Sequence, residues 1–221
     1  MDTQKTDNKA LINVVDSNKK PTIQPDTNAK RSGKGRLSPK AQITYASLVA
    51  AAAAILRTED PRSVTYRHVA EWAGTSSSSV GYYFESITDL LHEAASYNMR
   101  LWAQRAEKAA FDAEQLSHQI AHEQCIDYLL RACLPEGLSV PASHYAQLIA
   151  AAESEVVTET YRLGRRRLDL AVERILLHAG YDINPGLIVS IVDGAAVGGI
   201  SEGRDVREIA VTLLTEILRI I

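Results

Sequence analysis

Cysteine is scarce in this chain, with only Cys125 and Cys133 among 221 residues. On one helix the two would stand about 12 Å apart along the axis, beyond disulfide reach. A disulfide framework is therefore excluded, and so few thiols fit a reducing compartment. Met1 to Ala10 has no apolar run of the kind a secretory signal carries. The most apolar C-terminal stretch, Leu187 to Ile200, is interrupted by Asp193 and falls short of the ~20 apolar residues that cross a bilayer. These absences lead us to expect a cytoplasmic protein with no membrane partner. No segment sustains strand alternation and no internal repeat is visible. Catalytic signatures are missing too. No Glu is followed three residues later by His, the spacing a di-metal carboxylate bundle requires. There is no P-loop, no Gly-x-Ser-x-Gly and no His-Glu-x-x-His. The chain is expected to be neither an enzyme nor a carrier of a cofactor.

What the chain does have is an uneven charge distribution. The net charge is −3, yet residues 1–40 hold nine Lys/Arg against four Asp/Glu, a balance of +5 that leaves −8 for the remainder. A basic arm on an acidic body suits a DNA anchor on a soluble domain. Residues 1–37 are polar and Pro-, Asn- and Lys-rich, and are expected to be disordered. Order should begin at Ser38, a good N-cap, with Pro39 at the first helical position. That helix should run through Ala50–Ala54 to about Arg57 and stop at Glu59-Asp60-Pro61. Further helices are expected from Thr65, from Ser86, and over 113–133, 143–179, 185–202 and 205–221. Pro135, Pro141, Gly180 and Pro185 punctuate them. The fold class is thus all-α.

Residues 65–84, TYRHVAEWAGTSSSSVGYYF, read as helix, tight turn, helix. Thr65 is a plausible N-cap, and Val69, Ala70 and Ala73 form an inward face. Gly74 stands where a left-handed backbone is required. Ser76 caps the next helix, whose Val80, Tyr83 and Phe84 share one face at i, i+3, i+4. Such a pair places its second helix in the DNA major groove. The outward face opens with Ser77, Ser78 and Ser79, followed by Tyr82. Small hydroxyls permit close approach but favour docking over stringent base readout.

The stretch from Ser38 to Leu91 resembles the DNA-binding domain of the TetR/AcrR family of repressors. The resemblance rests on the Ala-rich first helix, Thr65, Val69-Ala70, Ala73-Gly74, Val80-Gly-Tyr-Tyr-Phe84, and Ser86 followed by Asp89-Leu90-Leu91. Val192-Asp-Gly-Ala-Ala-Val-Gly-Gly199 is also similar to the family's penultimate helix. The resemblance implies three parts: an arm (1–37), a helix-turn-helix domain (38–91) and a helical effector-binding and dimerisation domain (92–221). It places Thr65, Arg67, Ser77, Ser78, Tyr82 and Tyr83 at operator DNA, to which the cap Ser76 and Ser79 are added. Two departures matter: Gly81 stands where the family often has Tyr, and Ile87 where it usually has Lys. A basic arm of Lys30, Arg31, Lys34 and Arg36 is a candidate to compensate from the minor groove.

In the C-terminal part, Leu187, Ile188, Ile191, Ala195, Ala196 and Ile200 form one broad apolar face. Ile209, Leu213, Leu214, Ile217 and Leu218 form another. Such faces need a partner, and Ala195, Gly198 and Gly199 permit close helix approach. Ile188, Ile191, Ala195, Gly199, Ile209, Leu213 and Ile217 are the expected homodimer contacts. An unidentified small-molecule effector is expected near Trp102, Tyr128, Tyr145, Gln147 and Glu153. Arg165-Arg166-Arg167 reads as a solvated face. His118, His122 and Cys125 fall at i, i+4, i+7, a spacing compatible with transition-metal binding, and a metal-responsive regulator is the alternative reading.

Overall fold

The computed structural model describes residues 30–31, 34–135 and 142–220. Apart from one short hairpin, the described residues are helical. The hairpin pairs β1 (Lys30–Arg31) antiparallel with β2 (Lys34–Arg36), with Lys30 opposite Arg36 and Arg31 opposite Lys34. This differs from the disorder expected for residues 1–37. Residues 1–29 lie outside the described residues.

Helix α1 (Pro39–Thr58) starts as its sequence dictates. Ser38 accepts a hydrogen bond from the Ala41 N–H at 3.3 Å, and Pro39 follows. Every residue from Leu48 to Leu56 is buried, so this half of α1 is enclosed on all sides. A 3-10 turn at Pro61–Ser63 leads to α2 (Tyr66–Ala73), α3 (Ser77–Tyr83) and the 28-residue α4 (Ile87–Glu114). Ser86 and Asp89 form a reciprocal capping box at the start of α4, with the shorter Asp in place of the usual Glu.

The remaining helices are α5 (His118–Glu123), α6 (Cys125–Cys133), α7 (Ala142–Ala150), α8 (Glu155–His178), α9 (Pro185–Glu202) and α10 (Val206–Ile220). Two expected helices are broken. The 113–133 segment yields α4's last turn and then α5 and α6, because Ser117 caps a new start and Gln124 leaves helical geometry. The 143–179 segment splits at a 3-10 turn over Ala151–Glu153. That turn sinks Ala151 and then Val157 into the core around α1, a tertiary demand no local breaker announces.

Two apolar cores result. One gathers α1–α3, the first turns of α4, Ala151 and Val157. The other gathers the last turns of α4 with α6, α8, α9 and α10. α4 crosses both. α1 and α9, at 20 and 18 residues, are each long and apolar enough to span a bilayer by length and composition. Here both bury residues in the protein's own cores.

α4 and α8 run in the same direction, with Arg167 paired to Glu107 and Arg174 to Glu114 one heptad further on. They meet tightly at Gly164. A Cβ there would fall 2.8 Å from Met99 Cβ and 2.7 Å from its Cγ, which real contacts do not allow. Gly164→Ala should therefore lower stability, since overpacking costs about 1–3 kcal/mol and exceeds the ~1 kcal/mol that Ala gains over Gly within a helix. At Gly81, where a Cβ would sit an ordinary 3.6 Å from the Tyr66 ring, the same substitution should stabilise. Urea denaturation of both variants checks this, and a stabilised Gly164→Ala would refute the packing account.

Candidate nucleic-acid interface and interior cluster

The helix-turn-helix is closed by capping. Thr65 accepts from the His68 N–H at 3.2 Å, and Ser76 accepts from the Ser79 N–H at 3.3 Å. Gly74 adopts φ +65°, ends α2 in the left-handed region, and turns the chain into α3. Val69 and Val80 are fully buried against each other's helices, with Ala70 and Phe84 beside them. Tyr45 of α1 stacks on Phe84 at 5.1 Å and meets Tyr83 edge-on at 6.3 Å. Tyr66 braces the unit from outside the expected set: its hydroxyl donates to the Phe84 carbonyl at 3.0 Å, and its ring lies beside Gly81. Only its place directly after an N-cap hinted at it.

This geometry sorts the expected DNA residues. Ser76, Ser77, Ser78 and Tyr82 are exposed, Tyr82 at 55%. Ser79 is half-buried, and Ser76 is engaged with Ser78 at 2.9 Å. Thr65 is exposed, and Arg67 is ion-paired with Glu71 at 3.0 Å, one turn along the same helix. Tyr83 is a correction: it is only 9% exposed and packs into the core, because i+3 from Val80 is the inward face. Beside the interface, His68 donates through Nδ1 to the Ser63 carbonyl at 3.1 Å, and its Nε2 accepts from Trp72 at 3.1 Å. The side chains of Lys34 and Arg36 lie outside the described set, although their backbone forms β2.

Residues 48–94 match the family described as bacterial regulatory proteins, tetR family. The chain carries a TetR-family helix-turn-helix domain. A helical body follows that domain in the chain. A search of curated proteins finds no match.

In the helical body behind this domain, Trp102 and Tyr145 are brought together around His144. The Trp102 and His144 rings are 5.2 Å apart, as are those of His144 and Tyr145. Tyr161 of α8 adds a third wall, 5.3 Å from Trp102. The Tyr145 hydroxyl donates to Asp193 at 3.4 Å. Burial pushes both the Tyr145 hydroxyl and the Asp193 carboxyl up. Burial, with Arg105 and Arg57 nearby, holds His144 down to about 4, so its imidazole is neutral at neutral pH. Sequence reasoning missed Arg57, Asn98, His144 and Tyr161, which stand on four different elements.

Other expected ligand residues lie elsewhere. Glu153 is exposed and paired with Arg62 at 3.2 Å, because the 3-10 turn carries it outward. Tyr128 is buried with Arg131 over its ring at 4.7 Å, and Arg131 in turn pairs with Asp112. The Gln147 side chain lies outside the described set. Arg165 and Arg167 are ion-paired, with Asp169 and Glu107, rather than merely solvated.

The metal alternative is corrected as well. His118 and His122 each direct Nδ1 at a carbonyl, those of His178 and Ala179, at 2.9 Å. His122 Nε2 meets the Tyr181 hydroxyl at 3.3 Å. Cys125 is buried and its thiol is pushed up to about 12 by burial. Among the described residues no group of three His, Cys, Asp or Glu converges on a metal position. Helical spacing placed the three on one side, but the α8 C-terminus takes up the imidazoles.

The expected dimer contacts divide too. Ile188 is fully buried, Ala195 is 2% exposed, and Gly199 lies tight against Val206 and Ile209, all within one protomer. The small residues let α10 approach α9 of the same chain, which is the correction to their expected role. Ile209 is half-buried in that contact. Ile191, Leu213 and Ile217 line an outward groove with Ser190, Gly194 and Ile220.

Gly74 has open space around it, so a side chain there costs only backbone strain. Gly74→Ala should destabilise by about 1–2 kcal/mol and Gly74→Asn by less, as read by chemical denaturation. Equal stability of all three would refute the turn's requirement.

Proposed function

We propose that this TetR-family regulator is a repressor that binds a near-palindromic operator as a homodimer and is released by a small-molecule effector. The observation that carries the reading is that α4 belongs to both cores. Its first turns pack under the helix-turn-helix, and the rest contributes Trp102 to the aromatic cluster. A ligand that prefers one placement of α4 changes DNA affinity by linkage.

The homodimer is supported by the outward α9–α10 groove. Leu213 and Ile220, which line it, are 39% and 81% exposed, and Leu187 and Val197 elsewhere on α9 are 44% and 47% exposed, apolar surface that a second copy would cover. A two-fold dimer would set two copies of α3 about one DNA turn apart. Tyr82 and the serines are the candidate docking surface, and the basic hairpin strands are the candidate arm on the backbone or minor groove.

Selection of bound DNA from a random pool should return a near-palindrome, and a non-repeated site would overturn the dimeric reading. Leu213→Glu should shift the protein to monomer in light scattering and weaken operator binding. Tyr82→Ala should weaken binding by roughly tenfold, about 1.4 kcal/mol, with unchanged fold by circular dichroism. Removing residues 1–36 should flatten the salt dependence by about 0.9 for each phosphate that the arm neutralises. An unchanged slope in fluorescence anisotropy would remove the arm from the interface.

A further inference from the structure

Arg57 ends α1 with its guanidinium turned into the protein, where burial disfavours its charge. Its hydrogen-bond acceptor is the Asn98 amide oxygen, and Asn98, fully buried, donates in turn to the Ala53 carbonyl at 3.2 Å. Among the described residues no carboxylate pairs with Arg57. The titratable side chains that act on its charge are the phenols Tyr97 and Tyr161. A neutral amide is the weaker partner for a guanidinium, because a carboxylate offers two charge-assisted bonds in matching geometry. A half-buried cation left with an amide retains an unmet electrostatic demand.

That demand faces the aromatic cluster. Asn98 acts on the Tyr161 hydroxyl, and Trp102 and then His144 follow in ring contact. A second guanidinium, Arg105 of α4, also acts on His144 and Tyr145. The cluster's carboxylates, Asp169 and Asp193, are already shared by Arg165, at 2.9 and 4.0 Å. Neither pairs with Arg57, whose positive charge therefore stands beside aromatic walls with, among the described residues, an amide as its acceptor. His144 is held neutral and adds no cation to repel or attract. α7 brings His144 and the buried Tyr145 to the cluster, and its Leu148 packs on the body's core.

We propose that the effector is an aromatic carboxylate, its ring among Trp102, His144 and Tyr161 and its carboxylate on Arg57 in place of the Asn98 amide. This rests on the reading of the cluster as the effector site. The ligand then competes for the bond that ties α1 to α4, which couples its charge to the DNA reader. Calorimetry on the full chain, with 2-naphthoate and its uncharged isostere 2-naphthamide as probes, tests it. Naphthoate should bind at least about tenfold more tightly than the amide. Arg57→Gln should abolish that preference, and Arg57→Lys should restore part of it. Thermal melting of each variant separates lost binding from lost folding, and the Lys variant serves if Gln unfolds the chain. Trp102→Ala should weaken both probes. Equal binding of the two probes, with both lost in Trp102→Ala, overturns the carboxylate and leaves the effector site standing. No binding of either probe to the wild-type chain overturns both.

Discussion

Alanines at 94, 95, 103, 106, 109, 110 and 113 keep the inward side of α4 small beyond Leu90, Leu91, Asn98 and Met99, and all are buried. α8 lies along this surface, and at Gly164 it approaches until no Cβ fits against Met99. Such close packing recovers dispersion contacts that longer side chains would otherwise supply. The flanking pairs Arg167–Glu107 and Arg174–Glu114 are partly exposed, so they fix register more than they stabilise. The result is a stiff pair of helices to which both cores attach.

That stiffness gives the DNA reader its connection to the body. α2 and α3 pack on α1 and on the first turns of α4, so the exposed Tyr82 and serines are positioned by residues far from them. Arg57 and Asn98 tie α1 to α4 just where the head's core gives way to the body's. Ala151 and Val157 extend the same head core to the α7–α8 junction. A change in how α7 closes on the body thus has a short physical route to α3, through packed side chains rather than through a loop.

Much of the head was legible because its signals are local. Ser38, Thr65, Ser76 and Ser86 cap helices by bonding N–H groups within three residues, and Gly74 answers a single φ requirement. A period-3.6 pattern read Val69, Val80 and Phe84 correctly as inward. The same pattern put Tyr83 inside, against its family-implied place at DNA. In the body the pattern failed where two partners competed for one face. Ile188, Ala195 and Gly199 are apolar or small whether they meet α10 of the same chain or a second copy, and only packing chose the first. The 3-10 turn at Ala151–Glu153 has no Gly or Pro, so nothing local marked the exit that carries Glu153 outward.

By itself the sequence determined the helical class, the helix-turn-helix with its caps and turn, and the exposed serine and Tyr82 surface. Each depends on bonds or periodicities spanning only a few residues. Tertiary structure alone decided which arginines are paired and which meets an amide, since Arg57, Asn98, His144 and Tyr161 stand on four helices. It also decided that His118 and His122 serve the end of α8, more than fifty residues away in the chain. Helical spacing fixes which side of its own helix a residue occupies. What stands opposite depends on packing between helices distant in sequence, and that settles the chemistry.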